Sequence, residues 1–427
     1  MAQYITESIN TVIEQLSEQH STSACKTDLT PYVQFKMIVK TQAIPDSLDK
    51  YLVADSRPLW IRMNYSMRIP VAAAAIFVAI PYSISLTAQW LYGWPDKPGY
   101  KKYIEALKPR RIYGLTRAVL EMMKYLQYSR LYFQWNLWYK KNNKKQCVKG
   151  IPFGHRGNKL DLYHSPRLEQ SDPELIPVVV FIYGGAWGSG ERSMYCLLAL
   201  QLAKELNASV ICPDYTTYPK GNVLNMVQDI SDSLMWVKEN GHSFHLDKDN
   251  IVLIGHSAGA HLCTLTTLFL LEGVESLFIE PLTQTEIINS IKGIIGLSGV
   301  YDIMDHYEHE KTRAVEYIST MHKAMDGVEN FEFYSPSARI RKLNKDQLKR
   351  VPPMGLIHGT DDIIVPAESS VRLCELLTSL SVTATLYLLP KINHTEVVTD
   401  LMAQDRRLYH TVFGCVKQEY QKLIRTS

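Results

Sequence analysis

The sequence predicts an α/β fold: a mainly parallel central sheet with helices on both faces, preceded by an N-terminal helical, membrane-associated extension. Three observations carry this. From Asn158 onward, short apolar or β-branched runs alternate with helix-like stretches, the rhythm of parallel strands joined by crossover helices. Residues able to do chemistry fall just past the carboxyl ends of those runs, where sites gather in open α/β sheets. Upstream, one long stretch carries no charge.

In chain order, residues 1–66 are polar, lack a cleavable-signal pattern and read as partly disordered, with the first thirty forming at most a loose helix. From Ile69 to Pro95 there is no Asp, Glu, Lys or Arg, and the run ends in Trp90, Tyr92 and Trp94. About 20 apolar residues cross a bilayer core and aromatic rings favour its interface, so 69–94 is a candidate transmembrane segment. Pro81, Ser83, Ser85, Thr87 and Gln89 dilute its hydrophobicity, and a buried or interfacial helical hairpin remains the alternative. Ile112 to Tyr139 mixes aromatics with Arg117, Lys124 and Arg130, which suits a membrane surface, a helix packed as a cap, or both. The expected division is therefore 1–66 polar region, 67–145 membrane-associated helices, 146–427 catalytic domain.

Strands are expected near Leu160–Tyr163, Val178–Tyr183, Ser209–Pro213, Ile251–Ile254, Ile291–Leu297, Met354–His358 and Ala384–Leu389. Helices are expected near Ser193–Glu205, Val223–Asn240, Ala258–Leu271, Ala367–Leu380 and Thr395–Ile424. Asp305 to Lys349 interrupts the rhythm with polar helical sequence, either part of a substrate rim or a plain surface insertion.

Gly255-His256-Ser257-Ala258-Gly259 follows one of these strands and opens a helix. G-x-S-x-G in that context makes Ser257 a nucleophile on a strained strand-to-helix turn. Such a serine needs a base and an orienting acid, in the chain order Ser, Asp or Glu, His. The strand at Met354 runs into His358-Gly359-Thr360-Asp361-Asp362, where Asp362 is favoured over its neighbour Asp361 as the acid. The strand at Ala384 runs into a loop holding His394, the expected base. A fourth strand ends in Tyr183-Gly184-Gly185-Ala186-Trp187, whose small residues free backbone N–H groups for a developing oxyanion. Gly185, Ala186 and Ala258 are the expected donors, with Gly184, Trp187 and His256 completing the oxyanion and substrate pocket.

Charge is nearly balanced at +3, which implies no nucleic-acid partner. Seven cysteines are scattered without a CxxC pair, arguing for a reducing compartment and against a disulfide framework or a zinc site. No phosphate- or dinucleotide-binding glycine loop appears, so no cofactor is expected. Six basic residues follow the uncharged run within about 20 residues and four precede it, favouring a cytoplasmic catalytic domain. A glycan on the Asn393 sequon would crowd His394, which points the same way.

The segments at Tyr183, Cys212–Pro213–Asp214–Tyr215, Tyr218–Pro219–Lys220–Gly221, Gly255, Gly296–Leu297–Ser298–Gly299, Asp305–His306 and His358–Pro366 together resemble isoprenylcysteine α-carboxyl methylesterases, over roughly Asn158 to Met402. Kynurenine formamidases and hormone-sensitive-lipase-like esterases share the plan. The resemblance implies the α/β-hydrolase fold, a serine carboxylesterase that needs no cofactor, and a lipophilic ester substrate, the methyl ester of a prenylated cysteine above all. It also implies a location at the endoplasmic reticulum or Golgi membrane. Two departures stand out: Tyr183 replaces the His of HGGxW, and His256 stands where plant-type methylesterases carry Gln. An arylformamidase or other amidase, a general carboxylesterase or lipase, and a silent interaction protein on the same fold remain open alternatives.

Overall fold

The computed structural model describes residues 65–92, 99–141, 145–169 and 175–425. The expectations for residues 1–64 and for Trp94 lie outside them. Packing divides the chain into Met1–Ile69 and Pro70–Ser427, and everything below concerns the second unit unless stated.

Eight strands form one sheet: β1 (Cys147–Phe153), β2 (Asn158–Tyr163), β3 (Ile176–Ile182), β4 (Ser209–Pro213), β5 (Leu246–His256), β6 (Ile291–Leu297), β7 (Met354–Gly359) and β8 (Ala384–Leu389). Their order is β1-β2-β4-β3-β5-β6-β7-β8. The β1/β2 and β2/β4 pairs are antiparallel and the rest parallel. Central strands such as Val178–Ile182 and Ile251–Ile254 are buried on both faces, so their sequences read as continuous apolar runs rather than alternating ones. β1 was not expected. Its Lys149, Gly150 and Pro152 break both strand periodicities, and its pairing is bulged between Val148 and Ile151.

Helix α1 spans Tyr65–Tyr92, α2 Gly99–Ala106, α3 Pro109–Met123 and α4 Ser129–Lys140. Helices α5 (Cys196–Leu206), α6 (Val223–Asn240), α7 (Ala258–Glu272), α8 (Pro281–Ser290), α9 (Ile303–Thr312), α10 (Glu368–Ser379) and α11 (Tyr409–Arg425) belong to the sheet region. The expected single helix from Thr395 to Ile424 is two pieces. Asp400 accepts from Arg406 and from the Leu408 N–H, folding 400–408 into a bend.

Among the described residues, packing runs across the boundary expected near residue 145. Tyr128 and Leu131 join the main core, Ile112 and Leu115 are buried, and the Tyr139 hydroxyl donates to Asp161 at 2.9 Å. Lys149 on β1 donates to the carbonyls of Tyr139 and Lys141. The aromatic content of this stretch, which suits a membrane surface, equally suits a helix that buries large rings on one side.

Helix α1 inverts the usual arrangement. Residues 67–91 form a helix long and apolar enough to cross a membrane. At 1.5 Å per residue its 25 residues reach about 37 Å, against a hydrocarbon core of about 30 Å. Phe77 is 81% and Trp90 71% exposed, whereas Ser85 and Gln89 are buried. The Ser85 hydroxyl donates to the Ala106 carbonyl. The helix thus turns Ser85 and Gln89 toward protein, while most of its apolar side chains, with Ser83 and Thr87, are exposed.

Because Leu131 is packed in the core rather than on a detachable arm, Leu131→Ala is expected to destabilise the protein by about 2–4 kcal/mol. Denaturant unfolding of detergent-solubilised protein measures this. A loss under about 0.5 kcal/mol, typical of a surface position, would contradict the packing described.

Candidate active site

β5 ends at His256, α7 begins at Ala258, and Ser257 alone makes the turn, with φ +55° and ψ −121°. A non-glycine residue there costs on the order of 1–3 kcal/mol, which its surroundings must hold in place. They do so through the Ser257 N–H, which donates to Leu297 at the end of β6, and the Ser257 carbonyl, which accepts from Ala260 and His261. Glycine is required at 184, because a Cβ there would stand 2.9 Å from that of Ser257.

Asp362 follows β7 and is buried. Its Oδ1 accepts the N–H groups of Ile364 and Val365, both at 2.9 Å, and its Oδ2 accepts His394 Nδ1–H at 2.7 Å. Burial opposes the charge, but attraction to the His394 imidazole and hydrogen bonds with His358 and His394 outweigh it, holding the carboxyl well below the usual range. Asp361 is exposed and meets Thr360 instead. Among the described residues no hydrogen bond joins Ser257 Oγ to His394. Such contacts are often long before substrate arrives.

His256 Nε2 donates to the His394 carbonyl at 3.0 Å, and the two rings lie 4.9 Å apart. Its side chain therefore braces the histidine loop. Trp187 is buried, and its indole N–H donates to His261 Nδ1 at 3.1 Å, leaving His261 Nε2–H for the Tyr334 carbonyl at 2.7 Å. Trp187 is thus an anchor under the loop. Tyr183 holds the loop's start by stacking on Tyr215 and Tyr195, while its hydroxyl donates to Asp214 at 3.2 Å.

After Gly185, Ala186 (φ +50°) and Trp187 (φ +60°) both take left-handed backbone. Among the described residues no hydrogen bond engages the N–H of Gly185, Ala186 or Ala258. Ala258 is the first residue of α7, where backbone donors lack helical partners.

Two contributors were not assigned roles in the sequence. His358, wholly buried four residues before Asp362, bonds Ser370 at 2.7 Å and the Val365 carbonyl at 3.0 Å, with Nε2 3.2 Å from the Asp362 carboxylate. Its place in the H-G-T-D-D run is the signal that marks it. Thr320, in the 305–349 insertion, donates to the Ala186 carbonyl and carries no motif. The described residues contain no group of three or more potential metal ligands.

Sheet order, elbow and loop placement define an α/β-hydrolase. Solved structures agree on the fold: esterase B of Lactobacillus rhamnosus superposes with a TM-score of 0.53 at 18% identity over 73% of this chain and 96% of that one. Carboxyl esterase 2 of Tuber melanosporum gives 0.52 at 17% identity over 66% and 88%. The family profile BD-FAE matches residues 160–377. A probable isoprenylcysteine alpha-carbonyl methylesterase of Oryza sativa is 31% identical over 366 residues, 85% of this chain and 81% of its own. One of Arabidopsis thaliana is 34% identical over 291 residues, 67% of this chain and 63% of its own, so the chain spans a little under two thirds of that relative. The protein belongs to the isoprenylcysteine alpha-carbonyl methylesterase family.

Burial lowers the histidines around this site: His256 to about 3, with His394 adding to the effect, His261 to about 4, and His306 to about 3 with help from His309 and His394. The unfolded chain takes up these protons near pH 6.5, whereas the folded one refuses them until pH 3–4. Unfolded protein then binds more protons, so this stability is present above about 6.5 and is lost as pH falls toward 4. Glu310, kept protonated by burial up to about 8, works oppositely and offsets one histidine. Near pH 5 the three histidines outweigh Glu310, so stability falls as the pH drops through this range. Denaturant midpoints between pH 7.5 and 5 read it, and a flat profile is the contrary result.

Proposed function

We propose that the protein is a serine carboxylesterase acting on a lipophilic ester, most specifically the methyl ester of a prenylated cysteine. The carrying observation is the buried Asp362–His394 pair beside a serine on a positive-φ turn, faced by a loop with unengaged N–H groups. In this reading His394 takes the Ser257 proton as Oγ attacks the ester carbonyl, and Asp362 fixes the tautomer and stabilises the imidazolium. Gly185, Ala186 and Ala258 bind the oxyanion. His394 protonates the leaving methoxide, and water repeats the sequence on the acyl-enzyme. No step calls for a cofactor.

The substrate reading rests on the names of the relatives together with the exposed apolar helices. A prenylated ester partitions into the bilayer, and α1 offers an anchor of spanning length. The Tyr125 hydroxyl meets Thr395 at 3.1 Å, so the helical region reaches the residue beside His394, which supports the reading of a site that opens near the membrane. We place the catalytic domain on the cytoplasmic side of endoplasmic reticulum or Golgi membranes, from the charge bias around α1 and the family resemblance. A formamidase reading has a weaker footing: the kynurenine formamidase of Danio rerio is 25% identical over 234 residues.

Ser257→Ala is expected to lower ester turnover by several orders of magnitude and to abolish fluorophosphonate labelling. Asp362→Asn is expected to cost about 10⁴ in rate and Asp361→Asn little. Turnover undiminished in the serine variant, or the reverse ranking of the aspartates, overturns the assignment. Hydrolysis of farnesylcysteine methyl ester, N-formylkynurenine and a chain-length series of simple esters compares the substrate classes.

If α1 spans the bilayer, alkaline carbonate is expected to leave the full-length protein in the membrane pellet. Release into the supernatant would restrict the helices to a surface-bound or packed role.

A further inference from the structure

Ala186 and Trp187 are consecutive non-glycine residues at positive φ. Left-handed backbone costs roughly 1–2 kcal/mol per residue, so the loop holds this shape only because other groups impose it. Three successive carbonyls are tied down. Gly185 O accepts from the Gly188 N–H (3.1 Å), the Ser189 N–H (3.0 Å) and the Ser189 hydroxyl (2.9 Å). Trp187 O accepts from the Tyr218 N–H at 2.9 Å. Between them, Ala186 O is held by a side chain from a distant segment, the hydroxyl of Thr320.

In a trans peptide the carbonyl and the following N–H point in opposite directions. The ties on Gly185 O therefore aim the Ala186 N–H, and the tie on Ala186 O fixes the next peptide plane. Freed at that second point, the 186–187 peptide can rotate to take Trp187 back to negative φ. That motion changes ψ of Ala186 and φ of Trp187, so it loosens the loop on the carboxyl side of the residue that carries the Ala186 N–H.

Thr320 is itself well anchored. Its carbonyl caps the short helix Met321–Ala324 through the Ala324 N–H at 2.8 Å, and Met321 is fully buried. Gly188 leaves the space for it: a Cβ at 188 would stand 2.7 Å from Thr320 Cγ2 and 3.0 Å from its Cβ and Oγ1.

We propose that Thr320 is a positioning residue for the oxyanion site, locking the 185–187 backbone so that its N–H groups meet the developing charge. The inference rests on the serine-esterase reading above. It gives the 305–349 insertion a role in rate rather than only in forming a rim.

The test compares wild type, Thr320→Val, Thr320→Ser and Gly188→Ala on a small soluble p-nitrophenyl ester, with a trifluoromethyl ketone as oxyanion-forming inhibitor. Loss of an oxyanion donor itself costs about 10²–10³ in kcat. Loss of the tether is expected to cost roughly 10- to 100-fold in kcat with KM within about twofold, and to weaken the ketone by the same factor. Thr320→Ser restores both. Gly188→Ala, which pushes Thr320 away without removing its hydroxyl, shows the same deficit. An unchanged kcat in Thr320→Val, a rise in KM alone, or no rescue by serine overturns the proposal. Ser257→Ala in parallel separates the two levels: an active serine variant overturns the esterase reading, whereas an inactive one beside a fully active Thr320→Val overturns only this inference.

Discussion

The arrangement at the carboxyl edge of the sheet depends on keeping one carboxylate, Asp362, ionised while it is out of water. An isolated buried charge is prohibitively costly, so every lone-pair direction has to be met. Two backbone N–H groups meet Oδ1, and His394 meets Oδ2, with His358 close by. That requirement shapes the loop after β7: the chain must double back within three residues to present Ile364 and Val365. It also explains why His358 is buried and bonded at both nitrogens, because a mobile imidazole there would leave the carboxylate underserved. The depressed carboxyl follows from this arrangement, and the imidazole orientation follows from the carboxylate.

A second constraint runs through the backbone. Ser257, Ala186 and Trp187 sit at positive φ within one small region, and none is glycine. The sheet imposes the first, through the Leu297 carbonyl on β6. The other two are imposed by side chains and loops: Trp187 on His261, Tyr183 within a stack of tyrosines, and Thr320 from the insertion. Strain held by several independent contacts is a preorganised site, since little has to move when negative charge appears.

Much of this was legible in the sequence because it is local. Buried parallel strands announce themselves as unbroken apolar runs and the half-exposed edge strand β8 by its alternation, and Ser209–Pro213, Ile291–Leu297 and Ala384–Leu389 match the expected bounds. The elbow and the loops after β3, β7 and β8 carry short signatures tied to turn geometry. What stayed hidden is long-range. Thr320 meets Ala186 across 134 positions, and no local pattern marks such a pair. β1 is an edge strand with mixed burial and a bulge, so it lacks a clean period. The aromatic stretch 112–139 was ambiguous because rings suit a bilayer interface and a protein core alike, and only its partners, Asp161 above all, show the core contacts.

Those partners make the helical region more than a tether. Arg111 on α3 pairs with Glu316 at 2.9 Å and lies over the Tyr317 ring at 4.5 Å, while Arg110 reaches the Lys311 carbonyl at 3.1 Å. Glycine at 114 lets α3 press on the Arg313 carbonyl, which a Cβ would meet at 2.3 Å. The segment gripped in this way, 311–317, runs directly into Thr320. One end of the helical region touches the loop of His394 through Tyr125, and its middle holds the insertion that ties down Ala186. A helix that faces its apolar side outward and is bonded to this assembly through Ser85 cannot shift without loading those contacts. The apolar helix from Pro70 onward and the active-site loops are therefore parts of one packed unit.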